Sequence, residues 1–216
     1  MLYTLLRALA AGILKCWCRL RVEGQERVPS IGPVLLAANH TSLLDPPAVG
    51  AATHRRLFYM AKAELFRIPL FGALIRAVNA RPVRREGSDP AALRLAVGLL
   101  REGKALLVFP EGTRGVEGLL GPAKAGLGML ALLSEAPVIP TFIEGTGRAL
   151  PRGRMFPRPA RVRVVFGPPL QFKRRKTRED KAAYQAVSDE IMNAIAALGA
   201  SSTAESTVGL RQRGRA

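Results

Sequence analysis

Cysteine is almost missing from this chain: Cys16 and Cys18, on either side of Trp17, are its two instances in 216 residues. Residues this close rarely bridge, and no Cys/His cluster occurs elsewhere. Neither a disulfide framework nor a zinc site is therefore expected, and the chain reads as facing the cytosol. Histidine is equally scarce, and His40 and His54 lie too far apart for helical metal-ligand spacing. Long apolar runs are lacking too. The first twenty residues are apolar on the whole, but Arg7 and Lys15 bound the longest uncharged run. A bilayer-spanning helix needs ~20 apolar residues, so a transmembrane reading fails. A secretory signal fails as well, because the run is short and no small-x-small cleavage site follows. Acidic residues are few, 16 against 33 Lys and Arg, for a net charge of +17.

What is present points to a folded body with an anionic partner. Hydrophobic residues make up 48% of the chain, enough apolar surface to exclude disorder for most of it. The length suits one domain, with room for an accessory helix. The charge fits nucleic acid, an anionic membrane surface or a phosphate-bearing substrate. It also fits a genome that favours arginine codons, with solvated charges of no specific use.

At 100° per residue, Leu2, Leu5, Leu6, Leu9, Ile13, Cys16 and Leu20 share one helix face. Thr4, Arg7, Ala11, Lys15 and Cys18 share the other. Such a helix can lie in a membrane interface with Trp17 at headgroup level, or pack on its own domain. Further on, short uncharged apolar runs read as buried strands at residues 34–38, 57–61, 105–109 and 138–143. Residues 161–166 alternate as a more exposed strand would. Helices are expected after Pro46–Pro47, over 70–78, over 91–101 with Asp89 as cap, over 123–133 and over 179–198. On the last of these Tyr184, Val187, Ile191, Ile195 and Leu198 form one face. Alternating strands and helices argue for an α/β domain, a mostly parallel central sheet flanked by helices.

Three polar clusters then carry the chemistry, two of them directly after expected strands, where α/β sheets bind ligands. In Asn39-His40-Thr41-Ser42-Leu43-Leu44-Asp45, the aspartate can accept the proton of one imidazole nitrogen and leave the other free as a base. Alternatively, His40 is a loop histidine and Asp45 caps the next helix. In Phe109-Pro110-Glu111-Gly112-Thr113-Arg114-Gly115, glycine lets the backbone approach an anion and Arg114 can clamp a phosphate. The spacing is not that of a Walker A loop. The third cluster, Arg81-Pro82-Val83-Arg84-Arg85-Glu86, suits an anionic ligand or a solvated basic loop.

Together these clusters resemble the glycerolipid acyltransferases. NHTSLLDP is similar to their H-x-x-x-x-D block and VFPEGTRG to their F-P-E-G-T-R signature. IPLFGALIRAVNARPVRRE resembles the middle block, with Arg85 at its arginine, and Val138-Ile139-Pro140 the fourth. Lys124 and Gly126 match the usual lysine–glycine pair. Order and spacing agree over residues 19–166, most of the chain. Two positions depart: Arg84 stands where an acidic residue is common, and Gly115 where a serine is. Within the family, the bacterial enzymes acting on 1-acyl-glycerol-3-phosphate are the nearest type.

The resemblance implies transfer of a fatty acyl group from a thioester to a lysolipid hydroxyl, giving phosphatidic acid for phospholipid synthesis. His40 is then the catalytic base, oriented by Asp45. Arg85 and Arg114 hold the acceptor phosphate, and Glu111, Gly112 and Thr113 shape the same pocket. Residues 139–142 line an acyl channel or form a core strand. No metal and no resident cofactor are implied; acyl-CoA or acyl-carrier protein is the donor substrate. The expected layout is a membrane-associating helix at 1–20, the acyltransferase domain at 21–198 and a disordered basic tail at 199–216. The expected partners are a lysophospholipid and an anionic membrane surface, at the cytoplasmic face of the cell membrane, with peripheral or monotopic attachment. Competing readings are glycerol-3-phosphate or a lyso-aminolipid as acceptor, a silent membrane adaptor, and a nucleic-acid-binding module built on Lys173-Arg174-Arg175-Lys176-Thr177-Arg178 and the arginines from Arg148 to Arg163. Sparse aromatics and no known motif weigh against nucleic acid.

Overall fold

The computed structural model describes residues 2–84, 89–174 and 180–213, with side chains described as far as residue 201. Seven strands are described: β1 (Arg21–Glu23), β2 (Val34–Ala38), β3 (Leu57–Lys62), β4 (Ala80–Val83), β5 (Ala105–Val108), β6 (Val138–Glu144) and β7 (Arg163–Phe166). Seven helices accompany them: α1 (Leu2–Cys16), α2 (Asp45–Ala52), α3 (Phe71–Ala77), α4 (Pro90–Arg101), α5 (Ala125–Ser134), the single turn α6 (Thr146–Ala149) and α7 (Lys181–Arg213). The strands form one sheet in the order β1-β7-β6-β2-β5-β3-β4. Every pairing is parallel except β6 with β7.

The uncharged run of β2 is buried throughout, as the central strand of a sheet covered on both faces must be. Leu36 and Ala38 face a core shared with α1 and α2. Leu35 and Ala37 face the other, under α4, α5 and α7. Asp89 caps α4 as expected, its carboxylate accepting the Ala92 N–H at 3.0 Å, with Pro90 just inside the helix.

Three differences from the sequence expectation have physical reasons. Residues 81–83, read as part of a basic loop, form the edge strand β4. Pro82 is tolerated there because an edge strand leaves one side of its backbone unpaired. β7 is largely buried rather than exposed, because β1 pairs along its outer edge. The last helix passes the end expected at residue 198 and continues to Arg213. No proline interrupts it, and Ala196, Ala197 and Ala200 favour it.

For α1 two readings stood open, a membrane-interface helix or one packed on its own domain, and its expected apolar face does not dock. Leu2, Leu5, Leu9 and Ile13 point outward, followed by exposed Trp17. A narrower line of Tyr3, Leu14 and Cys18 is buried instead, although Cys18 was expected on the polar side. The Tyr3 hydroxyl accepts the Leu57 N–H at 2.9 Å, and the Arg56 guanidinium lies over the Tyr3 ring. Among the described residues, no helix is long and apolar enough to cross a membrane.

Candidate active site

The chain leaves β2 and returns on one side of it as β3, then passes from β5 to β6 on the other side. Its carboxyl end is therefore a switch point, where loops from adjacent strands diverge and leave a crevice. Three loops meet there: residues 39–45 after β2, 109–124 after β5 and 145–150 after β6.

The first loop holds the histidine and the aspartate. Asn39 closes the strand by pairing with Ile143 of β6, its side-chain amide giving one hydrogen bond to the Ile143 carbonyl and taking one from the Ile143 N–H. The chain then turns back on itself. Asp45 is fully buried at the start of α2, where Pro46 and Pro47 fit because helix N-termini need no N–H donors. Its Oδ2 accepts the His40 Nδ1–H at 2.7 Å, the Thr41 N–H at 2.7 Å and the Ser42 N–H at 2.8 Å. Its Oδ1 accepts the Thr146 hydroxyl. The carboxylate thus reaches back into its own loop rather than forward as a helix cap. With Nδ1 donating to Asp45, the lone pair of His40 lies on Nε2. The imidazole stacks on Phe109, ring centroids 3.9 Å apart and planes 17° from parallel, which fixes its plane.

The second loop grips the first through its backbone. Glu111 is buried. One carboxylate oxygen accepts the His40 N–H at 3.0 Å, and the other accepts the Gly121 N–H at 3.2 Å. The Gly115 N–H donates to the His40 carbonyl at 2.7 Å. Glu111 therefore braces the histidine, with both oxygens engaged by backbone. Gly112 has φ +69°, and a Cβ there would meet the Lys124 side chain at 2.8 Å; the glycine lets that ammonium lie across the loop. Thr113 is exposed and Arg114 half-buried. Among the described residues the Arg114 guanidinium has no side-chain partner, while its carbonyl accepts from Arg152.

The structure thus brings His40, Asp45, Glu111, Gly112, Thr113 and Arg114 into one place. Arg85 lies outside the described residues. Of the expected channel segment, Ile139 is wholly core, whereas Phe142 lines a cavity of 310 Å³ beside Asn39, with Leu119, Leu120 and Ala196. Sequence reasoning passed over Thr146, gave Asn39 no role within its cluster, and held Lys124 by resemblance alone. Glu144-Gly145-Thr146, at the end of β6, repeats the Glu-Gly-Thr of residues 111–113 after β5, on the other side of β2, and that repetition was a readable signal. Among the described residues, no group of three or more His, Cys, Asp or Glu converges as a metal site would require.

Comparison with known proteins bears on the family and the fold. The family profile described as Acyltransferase matches residues 19–144. A 1-acyl-sn-glycerol-3-phosphate acyltransferase of Bacillus subtilis is 28% identical over 152 residues, covering 70% of this chain and 73% of that one. A chloroplastic enzyme of the same name from Brassica napus is 31% identical over 61% of this chain, which spans 39% of its length. The crystal structure of the corresponding Thermotoga maritima acyltransferase superposes with a TM-score of 0.70 at 28% identity, over 92% of this chain and 81% of that one. The resemblance and the α/β fold expected from the sequence are both borne out.

The brace makes a prediction. Glu111→Ala leaves the buried His40 N–H without its acceptor, at a cost of about 1–3 kcal/mol in stability. Urea unfolding should show a lower midpoint, accompanied by lost turnover. An unchanged midpoint with normal turnover would show the brace to be dispensable.

Proposed function

The chain belongs to the acyltransferase family, and we propose that it carries a fatty acyl group from a thioester to the free hydroxyl of 1-acyl-glycerol-3-phosphate, releasing phosphatidic acid. The observation that carries this reading is the buried His40–Asp45 pair, 2.7 Å apart, tied by Gly115 to the loop that presents Arg114.

In this reaction His40 Nε2 takes the proton of the acceptor hydroxyl as its oxygen attacks the thioester carbonyl. The new C–O bond forms, the C–S bond breaks, and the imidazolium returns the proton to the departing sulfur. The hydroxyl is its own nucleophile, so no acyl-enzyme forms. Asp45 stabilises the imidazolium and keeps Nε2 directed at the substrate. Arg114 binds the acceptor phosphate, with Arg85 of the middle block and the Lys124 ammonium as further cations. Gly112 and Thr113 shape the floor of that pocket, and Glu111 holds the floor against His40. Acyl-CoA or acyl-carrier protein supplies the acyl group as a substrate, and no resident cofactor is called for.

The substrate hydroxyl sits on a lipid, and two surfaces suit a membrane. One is the outward face of α1, with Leu2, Leu5, Leu9 and Ile13 beside Trp17. The other is the loop after α6, where Met155 and Phe156 are 83% and 79% exposed among Arg152, Arg154 and Arg158. The two are tied together, since the Val162 N–H donates to the Cys18 carbonyl at 2.9 Å. Apolar side chains ringed by arginines match the interface of an anionic bilayer, here assigned to the cytoplasmic leaflet.

His40→Ala should lower turnover roughly 10²–10⁴-fold with the fold intact by circular dichroism. Normal turnover would end the proposed mechanism. Arg114→Ala should raise the KM for the acceptor about ten- to a hundred-fold and change kcat less, because a charge-assisted clamp acts on binding. An unchanged acceptor KM would remove Arg114 from the phosphate site. The protein should sediment with phosphatidylglycerol vesicles and much less with phosphatidylcholine vesicles, with binding weakened by salt and by Leu5→Ser with Leu9→Ser. Salt-sensitive binding to duplex DNA with none to vesicles would instead favour the nucleic-acid reading.

A further inference from the structure

We infer that Thr146 is a positioning residue for the acid–base pair, and that Glu117 sets its place. The inference rests on the assignment of His40 and Asp45 as that pair.

The need is visible at Asp45. Three donors crowd its Oδ2, all from residues 40–42, while Oδ1 receives its donor from Thr146 at the end of β6. The three donors on Oδ2 fix that oxygen but leave the carboxylate plane set from one side only. A tilt of that plane would alter the angle of the bond to Nδ1 and with it the direction of Nε2. A hydroxyl on the second oxygen fixes the plane.

Proton counting fixes the direction of the chain. Thr146 has one hydroxyl proton and gives it to Asp45. The Thr41 hydroxyl, 3.1 Å away, must then donate to the Thr146 oxygen. The order Thr41 to Thr146 to Asp45 to His40 is a directed line of donors ending at the base. Other buried hydroxyls behave differently: Thr141 donates to the Ile139 carbonyl and Ser188 to the Lys124 carbonyl, as ordinary braces do. Thr146 donates instead to the carboxylate that touches the imidazole, and it is itself fully buried.

The turn carrying Thr146 is built for this. The Glu117 carboxylate accepts the Gly145 N–H with one oxygen and the Gly147 N–H with the other, the latter at 2.7 Å. Gly145 has φ +87°, and a Cβ there would stand 1.9 Å from the Arg161 carbonyl oxygen, so no larger residue fits. Glu117 lies three residues beyond Arg114. The loop proposed to bind the acceptor phosphate therefore also holds the residue that aligns the base.

The test uses the full chain with a palmitoyl thioester as donor and 1-oleoyl-glycerol-3-phosphate as acceptor, and includes His40→Ala as reference. Thr146→Val keeps the shape and removes the donor; kcat should fall about ten- to a hundred-fold, with both KM values within about threefold of the parent. Thr146→Ser restores the hydroxyl and should return kcat to within about threefold of the parent. Should the valine variant fail to fold, Glu117→Gln gives the second reading: one of its two acceptor oxygens becomes a donor group, and kcat should fall at least about threefold at unchanged KM. Parent-like kcat in Thr146→Val overturns the role, as does parent-like kcat in Glu117→Gln where that variant is the one read, or a serine variant as impaired as the valine one. An inactive His40→Ala beside a normal Thr146→Val removes Thr146 alone. A fully active His40→Ala removes the pair and this inference with it.

Discussion

A carboxylate with no access to water is tolerable in a protein when every lone pair that faces the interior finds a donor. Asp45 meets that demand with four, and they come from three places: the imidazole, the turn just before α2, and the turn after β6, the strand that pairs with β2. Much of the site's architecture follows from satisfying this one charge. The reversal at Thr41 and Ser42 exists to present two N–H groups. The loop after β6 must approach closely enough to present a hydroxyl, and Asn39 sets that approach by stitching the end of β2 to Ile143. The pair is consequently rigid before any substrate arrives, which is what a base needs to act without reorganisation.

The same economy explains the glutamates of the second loop. Glu111 and Glu117 sit on either side of Arg114, each with both oxygens spent on backbone N–H groups. One holds the histidine's own peptide and the other the turn of Thr146. Negative charge here fixes backbone in position, and the cation between them stays available for an anion. A loop with fewer such anchors would leave the arginine's distance from His40 undefined, and an acceptor bound by its phosphate would not bring its hydroxyl reliably to Nε2.

Much of this was legible in the residues. Uncharged apolar runs located β2, β3, β5 and β6 almost to the residue, because buried parallel strands have little freedom in composition. The first two polar clusters fell at strand ends, and their proximity was readable from that alone. Other features were not legible. β1 and β4 are three and four residues long, carry arginine, and owe their pairing to the sheet edge they complete rather than to any pattern of their own. The outward face of α1 stayed open between a membrane-facing and a packed reading, because periodicity reports that a face is apolar, not what covers it. Glu111 read as a pocket residue and is a brace, since a motif identifies a side chain without its direction. Thr146 was missed although Glu144-Gly145-Thr146 echoes residues 111–113, because the echo names no partner, and its meaning came from one 101 residues away in sequence.

The large excess of positive charge resolves into separate uses once the cations are located. Arg55 is spent within the fold: its guanidinium donates to the Pro29, Gly32 and Gly103 carbonyls, and burial pulls its pKa below the usual arginine value. Arg27 closes on the Phe166 carbonyl. Arg163 forks onto both oxygens of Glu23 at 2.7 and 2.6 Å, a hydrogen-bonded pairing that holds the Glu23 carboxyl below its ordinary range. These arginines join loop to loop and strand to strand, work that the guanidinium fork does better than an ammonium. Net charge therefore overstates what is offered to a ligand. The cations that matter for recognition are Arg114 and Lys124 over the second loop, and the exposed arginines around Met155 and Phe156, where Arg152 and Arg158 each also give one hydrogen bond to a backbone carbonyl. The first group lies within a residue or two of groups that touch His40, and the second surrounds two exposed apolar side chains. That difference in surroundings, and not the charge they share, divides a phosphate-binding role from a membrane-binding one.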